Sequence, residues 1–354
     1  MKQFFLYLLL FFVGNSLYSQ EKIRSLADLK GKDLKVGLVL SGGGAKGLAH
    51  IAALEAIEQA GVKIDYIGGT SMGAIIGGLY AAGYTSHQLD SIFHSVDFER
   101  IIQDNVPRSA QNFYEKENRD RYMISLALRD GKFGLPAGLS QGVNLYNFLS
   151  QLTFGVRKID DFSKLPIPFL CMATDVETGE EVILEHGDLA QAIMASGSFP
   201  TLFAPVEMEG RFLTDGGVMN NYPIDEVRAK GMDIIIGVDV QSPLKTRKDL
   251  RSANSVLLQI TSYKIANDMK EKREKTDIYI HPDMSNYNVI SFAEGQAIID
   301  SGRVATKKVF PHLQWLGDFL KKEEKPLPKI KVHDSLHIGN ISFSGNKHYS
   351  DAYL

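Results

Sequence analysis

Residues 35–40 (Lys-Val-Gly-Leu-Val-Leu) form a short apolar run that ends at Ser41 and three glycines, the pattern of a buried strand feeding a tight loop. Past that loop, Leu48, Ile51, Ala52, Leu54, Ala56 and Ile57 recur at helical spacing, and Gly61 supplies a C-terminal stop. A second short strand over residues 65–69 runs directly into Thr70, Ser71, Met72 and Gly73, then into an apolar helix through Ala82 with a stop at Gly83. The segment predicts a βαβα unit. Further on, apolar strands are expected over residues 168–173 and 233–240, and helices near residues 189–195 and 224–229. This alternation predicts an α/β sandwich. Thr178-Gly179 and Glu209-Gly210 each separate two strand-like runs and predict hairpins. Residues 97–139 are polar, irregular and rich in turn formers, which suits either a lid or a long surface excursion.

Composition narrows the class. With 44% hydrophobic and 23% charged residues in a chain of 354, one large core or two modest ones are within reach. The formal net charge of -3 leaves no basic excess for phosphate backbones, so nucleic acid is not an expected partner. Residues 1–20 place Lys2 before an apolar run over residues 4–13 and the small polar group Gly14, Asn15 and Ser16, the layout of a secretory signal peptide. The apolar run is shorter than the ~20 residues that a helix needs to span a bilayer. Cys171 is the only cysteine, so no disulfide framework is expected. Residues 321–335 are charged and proline-bearing, as linkers are, and divide a main unit over residues 34–320 from residues 336–354. That last stretch holds one alternating strand and a Gly345-Asn346 turn, too little to bury a core of its own.

Candidate chemistry lies in three turns. Gly69-Thr70-Ser71-Met72-Gly73 is a Gly-x-Ser-x-Gly pentapeptide between a strand and a helix, where a sharp turn exposes the serine at the carboxyl edge of a sheet. Gly42-Gly43-Gly44-Ala45-Lys46-Gly47 also satisfies the dinucleotide fingerprint, but the next strand ends in Gly68-Gly69-Thr70-Ser71 with no carboxylate for a ribose. A P-loop fails as well, because Gly47 rather than Ser or Thr follows Lys46. What survives is a nest of backbone N–H groups at a helix N-terminus, suited to a negative oxygen. A βαβ crossover joins parallel strands, so this nest and Ser71 emerge at the same sheet edge. Thr214-Asp215-Gly216-Gly217 places an acid in another tight turn, either an ordinary Asp-Gly turn or a base pointing into a cleft.

Residues 41–47, Gly69-Thr70-Ser71-Met72-Gly73, residues 195–200 (Ala-Ser-Gly-Ser-Phe-Pro) and Asp215-Gly216-Gly217 occur in an order and spacing that resembles the patatin-like phospholipase family. The resemblance covers about residues 34–311. It implies a three-layer α/β/α sandwich with a mostly parallel sheet. It implies Ser71 as nucleophile, Asp215 as the base that takes its proton, and Gly42, Gly43 and Gly44 as oxyanion holders, with Lys46, Gly47, Gly69, Gly73, Gly216 and Gly217 supporting the motifs. No metal and no cofactor are implied. The implied substrate is a phospholipid or other lipid ester met at a membrane surface, cleaved with phospholipase A or lysophospholipase character. Residues 338–346 resemble the opening of a polypeptide-transport-associated module, which in bacterial relatives joins such a domain to an outer-membrane barrel. Together with the leader-like residues, this predicts export through the inner membrane to the periplasm, outer membrane or surface of a bacterium.

Two other readings compete. An α/β-hydrolase with a Ser-Asp-His triad would take His281, after a strand over residues 276–280, as its third member. A non-catalytic scaffold would keep the fold for binding alone. His50 is expected to cap or pack, Cys171 to fill the core, and Ser196 and Ser198 to shape the cleft wall. Met72, Phe199, Leu202, Phe203 and Met219 suit either an apolar cleft or the core.

Overall fold

The computed structural model describes residues 34–102, 104, 127–129, 132–134, 138–247, 250 and 253–320. The expected leader, linker and C-terminal module, and most of the irregular stretch after Asp104, lie outside these residues. The main sheet holds β1 (Val36–Leu40), β2 (Tyr66–Thr70), β3 (Phe169–Asp175), β4 (Glu181–Leu184), β5 (Val206–Met208), β6 (Arg211–Asp215), β7 (Ile234–Val238) and β8 (Ile278–Ile280). Its order is β8-β7-β1-β2-β3-β6-β5, with β4 paired to β3. The run from β8 to β3 is parallel, while β4, β5 and β6 pair antiparallel. The two expected hairpins are β3–β4 and β5–β6, and the second turns on Glu209 and Gly210, both at positive φ.

Helices cover both faces, so the sandwich has three layers. Strand residues sort between them with the period of two that a pleated sheet imposes. Leu38, Leu40, Ile234, Ile236, Phe169 and Cys171 join one buried cluster with α1 (Ala49–Gln59), α2 (Met72–Ala81), α6 (Leu189–Ser196) and α9 (Gly295–Phe319). Their neighbours Val39, Ile235, Leu170 and Met172 join the other, under α7 (Ile224–Ala229) and α8 (Ala253–Lys275). Strands buried on both faces read as continuous apolar runs for this reason. Helix α2 is buried along its whole length and is apolar all round, as a central helix should be. Helix α3 (Ser86–Ser95) packs on α1 and α2, and α4 (Phe98–Ile102) packs on α5 (Val143–Thr153).

Candidate active site

Strand β2 ends at Thr70 and α2 begins at Met72, so Ser71 alone makes the turn, with φ 56 and ψ -124. That conformation is sparsely populated for a residue with a Cβ and holds roughly 1–3 kcal/mol of strain. The surroundings enforce it. Ser71 N–H donates to Ser196 Oγ at 3.0 Å, and its carbonyl accepts from Ala74 and Ile75 in α2. Gly73 sits so close to the end of β1 that a Cβ there would lie 2.3 Å from the Leu40 carbonyl oxygen and 2.6 Å from that of Ser41. Gly69 faces the backbone of Gly73 in the same crowded turn. Ser196 therefore holds the elbow rather than merely shaping a wall, and Ser198 Oγ turns back to the Met194 carbonyl at 2.8 Å. Ser196→Ala leaves a buried N–H without a partner, an expected loss of ~1–3 kcal/mol of stability that thermal denaturation measures.

The acid arrives on the antiparallel strand β6. Ser71 Oγ donates to Asp215 Oδ2 at 2.6 Å, across 144 residues of chain. Asp215 Oδ1 accepts from the Gly217 N–H at 2.7 Å, and Gly216 lies against the Met172 carbonyl, so the Asp-Gly-Gly turn fixes the carboxylate. Asp215 is 3% exposed. Burial raises its pKa to about 6, while the Ser71 and Gly217 hydrogen bonds pull it down. The group is thus ionised at neutral pH and more basic than a free carboxylate.

The three glycines after β1 do not act alike. Gly42 N–H donates to the Asn221 carbonyl at 3.3 Å, and Asn221 Nδ2 donates to the Gly42 carbonyl at 3.2 Å. The Gly42 N–H is therefore engaged, which departs from the expectation that Gly42, Gly43 and Gly44 all hold the oxyanion. The N–H groups of Gly43 and Gly44 donate to no group among the described residues. The Gly42 Cα lies beside Ser71, since a Cβ there would be 2.9 Å from Ser71 Cβ. Asn221 carries no periodic signal in the sequence; only its place six residues after Asp215, past the glycine turn, points to it. Gly47 packs on Met72, and Lys46 is buried with Nζ donating to Ser242 Oγ at 3.1 Å. Burial lowers the Lys46 pKa to about 8 against the opposing pull of Asp239.

Ser71 opens into a cavity of about 680 Å³, including the space open to solvent. Among the residues lining it, Ser71 has the one polar side chain. Met72 and Ile75 come from α2, Phe98, Ile101 and Ile102 from α4, Leu145 and Phe148 from α5, and Phe199, Leu202 and Phe203 from the segment after α6. Val289 and Phe292 close another side, where Phe98 and Phe292 stack with centroids 4.1 Å apart. Four of the five candidate cleft residues line the cavity, whereas Met219 does not. The start of the irregular stretch, read as lid or excursion, contributes the α4 wall.

His281 is elsewhere engaged. Its Nδ1 bonds the Asp239 carbonyl oxygen at 2.8 Å, and its ring stacks on Tyr279, while the Ser71 hydroxyl and both Asp215 oxygens are already paired. The triad reading loses its third member. His50 is wholly buried with Nε2 2.8 Å from the Ser41 carbonyl oxygen, and Cys171 is a buried core thiol. Among the described residues no group of His, Cys, Asp and Glu side chains is arranged to hold a metal.

The α/β sandwich thus opens one serine hydroxyl, bonded to a buried carboxylate, into an apolar cavity. The chain belongs to the patatin-like phospholipase family, whose model matches residues 38–228. It is similar to Lysophospholipase NTE1 of Candida glabrata, 28% identical over 331 residues that cover 86% of this chain and 17% of that protein. It is similar also to Lysophospholipase NTE1 of Saccharomyces cerevisiae, 28% identical over 305 residues covering 76% of this chain and 16% of the relative. The chain thus spans about a fifth or less of the length of these curated relatives. Among solved structures, VipD from Legionella pneumophila aligns with TM-score 0.45 and 14% identity over 80% of this chain and 68% of its own. ExoU in its complex with SpcU from Pseudomonas aeruginosa aligns with TM-score 0.41 and 17% identity over 82% and 52%. The expectation of a bacterial exported protein is corrected by these relatives, because the matching curated lysophospholipases are fungal.

Proposed function

We propose that this chain hydrolyses acyl esters of phospholipids, with lysophospholipids as the preferred class, through Ser71 and Asp215 and an acyl-enzyme. The observation that carries the reading is the 2.6 Å contact between the Ser71 hydroxyl and the buried Asp215 carboxylate at an apolar cavity. Ser71 Oγ attacks the ester carbonyl as its proton passes to Asp215 Oδ2. The Gly43 and Gly44 N–H groups, without acceptors among the described residues, meet the oxyanion. Collapse expels the alcohol, which takes the proton from Asp215, and leaves the acyl chain on Ser71. Water then attacks with Asp215 again as base, and the fatty acid leaves. The preference for one-chain lipids rests on the name carried by the fungal relatives and on the apolar cavity beside Ser71.

A lipid surface is the proposed source of substrate. Ile290, 58% exposed, stands beside Val289 of the cavity wall, which suits contact with acyl chains. Among the described residues no helix is long and apolar enough to cross a membrane. The test is incubation of the full chain with lysophosphatidylcholine and diacyl phosphatidylcholine, with products identified by mass. Release of fatty acid from neither lipid rejects the reading.

The cavity makes its own prediction. Leu202→Trp, on a half-buried wall residue, narrows the acyl slot, and a steric misfit there is expected to lower kcat/KM for long-chain p-nitrophenyl esters by ~10–100-fold. Butyryl ester turnover should change little, so the ratio of the two rates is the readout.

A further inference from the structure

We infer that His50 is a positioning residue of the oxyanion loop, holding the Ser41–Gly42 peptide in the orientation that presents the following amides to the reacting carbonyl. This inference rests on the hydrolase reading and adds a residue to it.

His50 lies in the first turn of α1 and is 0% exposed. A side chain that only filled space there would be apolar, because an imidazole must satisfy its nitrogens or lose hydration without return. His50 makes one hydrogen bond, from Nε2 to the Ser41 carbonyl at 2.8 Å, while Nδ1 has no partner among the described residues. A carbonyl oxygen only accepts, so the neutral ring must carry its proton on Nε2. Burial lowers the His50 pKa to about 4, which keeps the ring neutral through the working range.

The bond acts on the loop through the planarity of the peptide unit. Carbonyl and N–H of one trans peptide point in opposite directions. His50 grips the Ser41 oxygen, and the Gly42 N–H at the other end of that plane reaches the Asn221 carbonyl at 3.3 Å. The next plane is set likewise, because Asn221 Nδ2 holds the Gly42 carbonyl and so turns the Gly43 N–H away from Asn221. The Ser41 carbonyl also abuts the first turn of α2, where a Cβ on Gly73 would come within 2.6 Å of it. One buried side chain thereby registers the amide nest against the helix that carries Ser71.

The test contrasts two amides of different reach. Gln at this position extends an N–H donor to where Nε2 stands, whereas Asn reaches only as far as Nδ1. His50→Asn is expected to lower kcat by ~10–100-fold with KM little changed, the scale of a misplaced catalytic group. The inactivation rate by a fluorophosphonate should fall with kcat, and His50→Gln should recover most of both. Equal kcat in folded Asn and Gln variants, or unchanged inactivation rates, overturns the inference. If neither variant folds, ¹⁵N-histidine NMR of the wild-type full chain decides it. A proton on Nε2 of His50 supports the role, and a proton on Nδ1 refutes it. Loss of hydrolysis in Ser71→Ala with wild-type behaviour in His50→Asn would reject this role alone, while hydrolysis surviving Ser71→Ala rejects the underlying mechanism.

Discussion

Ser71→Ala is expected to abolish lipid hydrolysis, with kcat/KM down by at least ~10⁴-fold, because removal of the nucleophile leaves only binding and the amide nest. Covalent labelling by a fluorophosphonate should vanish with it. The fold should not suffer, since Ala keeps the Cβ and the backbone bonds to Ser196 Oγ, Ala74 and Ile75. A companion variant separates chemistry from strain. Ser71→Gly removes the Cβ that makes φ 56 and ψ -124 costly, and should stabilise the protein by ~1 kcal/mol or more while being equally inactive. Hydrolysis by Ser71→Ala at a rate near wild type would remove Ser71 from the reaction, and denaturation curves measured beside the assay would show whether strain sits at this turn.

What was legible in the chain follows the range of the forces involved. The β1–loop–α1 and β2–elbow–α2 units announce themselves because periodicity, glycine stops and the strand-to-helix serine are all local signals. The β3–β4 and β5–β6 hairpins were legible for the same reason. The meeting of Ser71 with Asp215 is not local, and only the order of motifs suggested it. Phe98, Ile101 and Ile102 stand at i, i+3 and i+4, a helical signal within a stretch otherwise read as irregular; its five-residue helix is too short to assert itself by periodicity. Asn221 escaped for another reason, and His50 was expected only to cap or pack. Each acts through one or two hydrogen bonds to backbone of the glycine loop, and a single polar residue has no period. Met219 shows the converse, for apolar character near a site does not by itself put a side chain in the cavity.

The buried polar atoms of the site divide the work between elements of different rigidity. The sheet supplies β1, β2 and β6, whose ends cannot move independently because they share ladders with β7 and β3. The apolar cavity, by contrast, is walled largely by α4, α5 and the segment after α6, which lie outside the main sheet. On the proposed mechanism, chemistry sits on the rigid element and acyl selection on the peripheral one, a division that lets substrate range change while the Ser71–Asp215 distance stays fixed.

Asp215→Asn is the second large effect, and its sign differs between activity and stability. Without a base of suitable pKa, kcat/KM should fall by ~10³–10⁴-fold, since Asn cannot accept the serine proton. In the wild type the same carboxylate must be ionised to work, so kcat/KM should be flat above its pKa of about 6 and fall tenfold per unit below it. For stability the folded-state pKa is raised above the unfolded value of 3.8, so the native state binds the proton more tightly. Stability contributed by this group is therefore fully present below pH 3.8 and is lost as pH rises through about 6. At neutral pH the ionised, buried Asp215 costs on the order of 3 kcal/mol, which an amide of the same shape avoids. Asp215→Asn should melt above the wild type at pH 7, and the two should converge at pH 4. An inactive variant that melts lower at pH 7, or a rate profile unchanged between pH 5 and 7, would show that the carboxylate is not the strained base described.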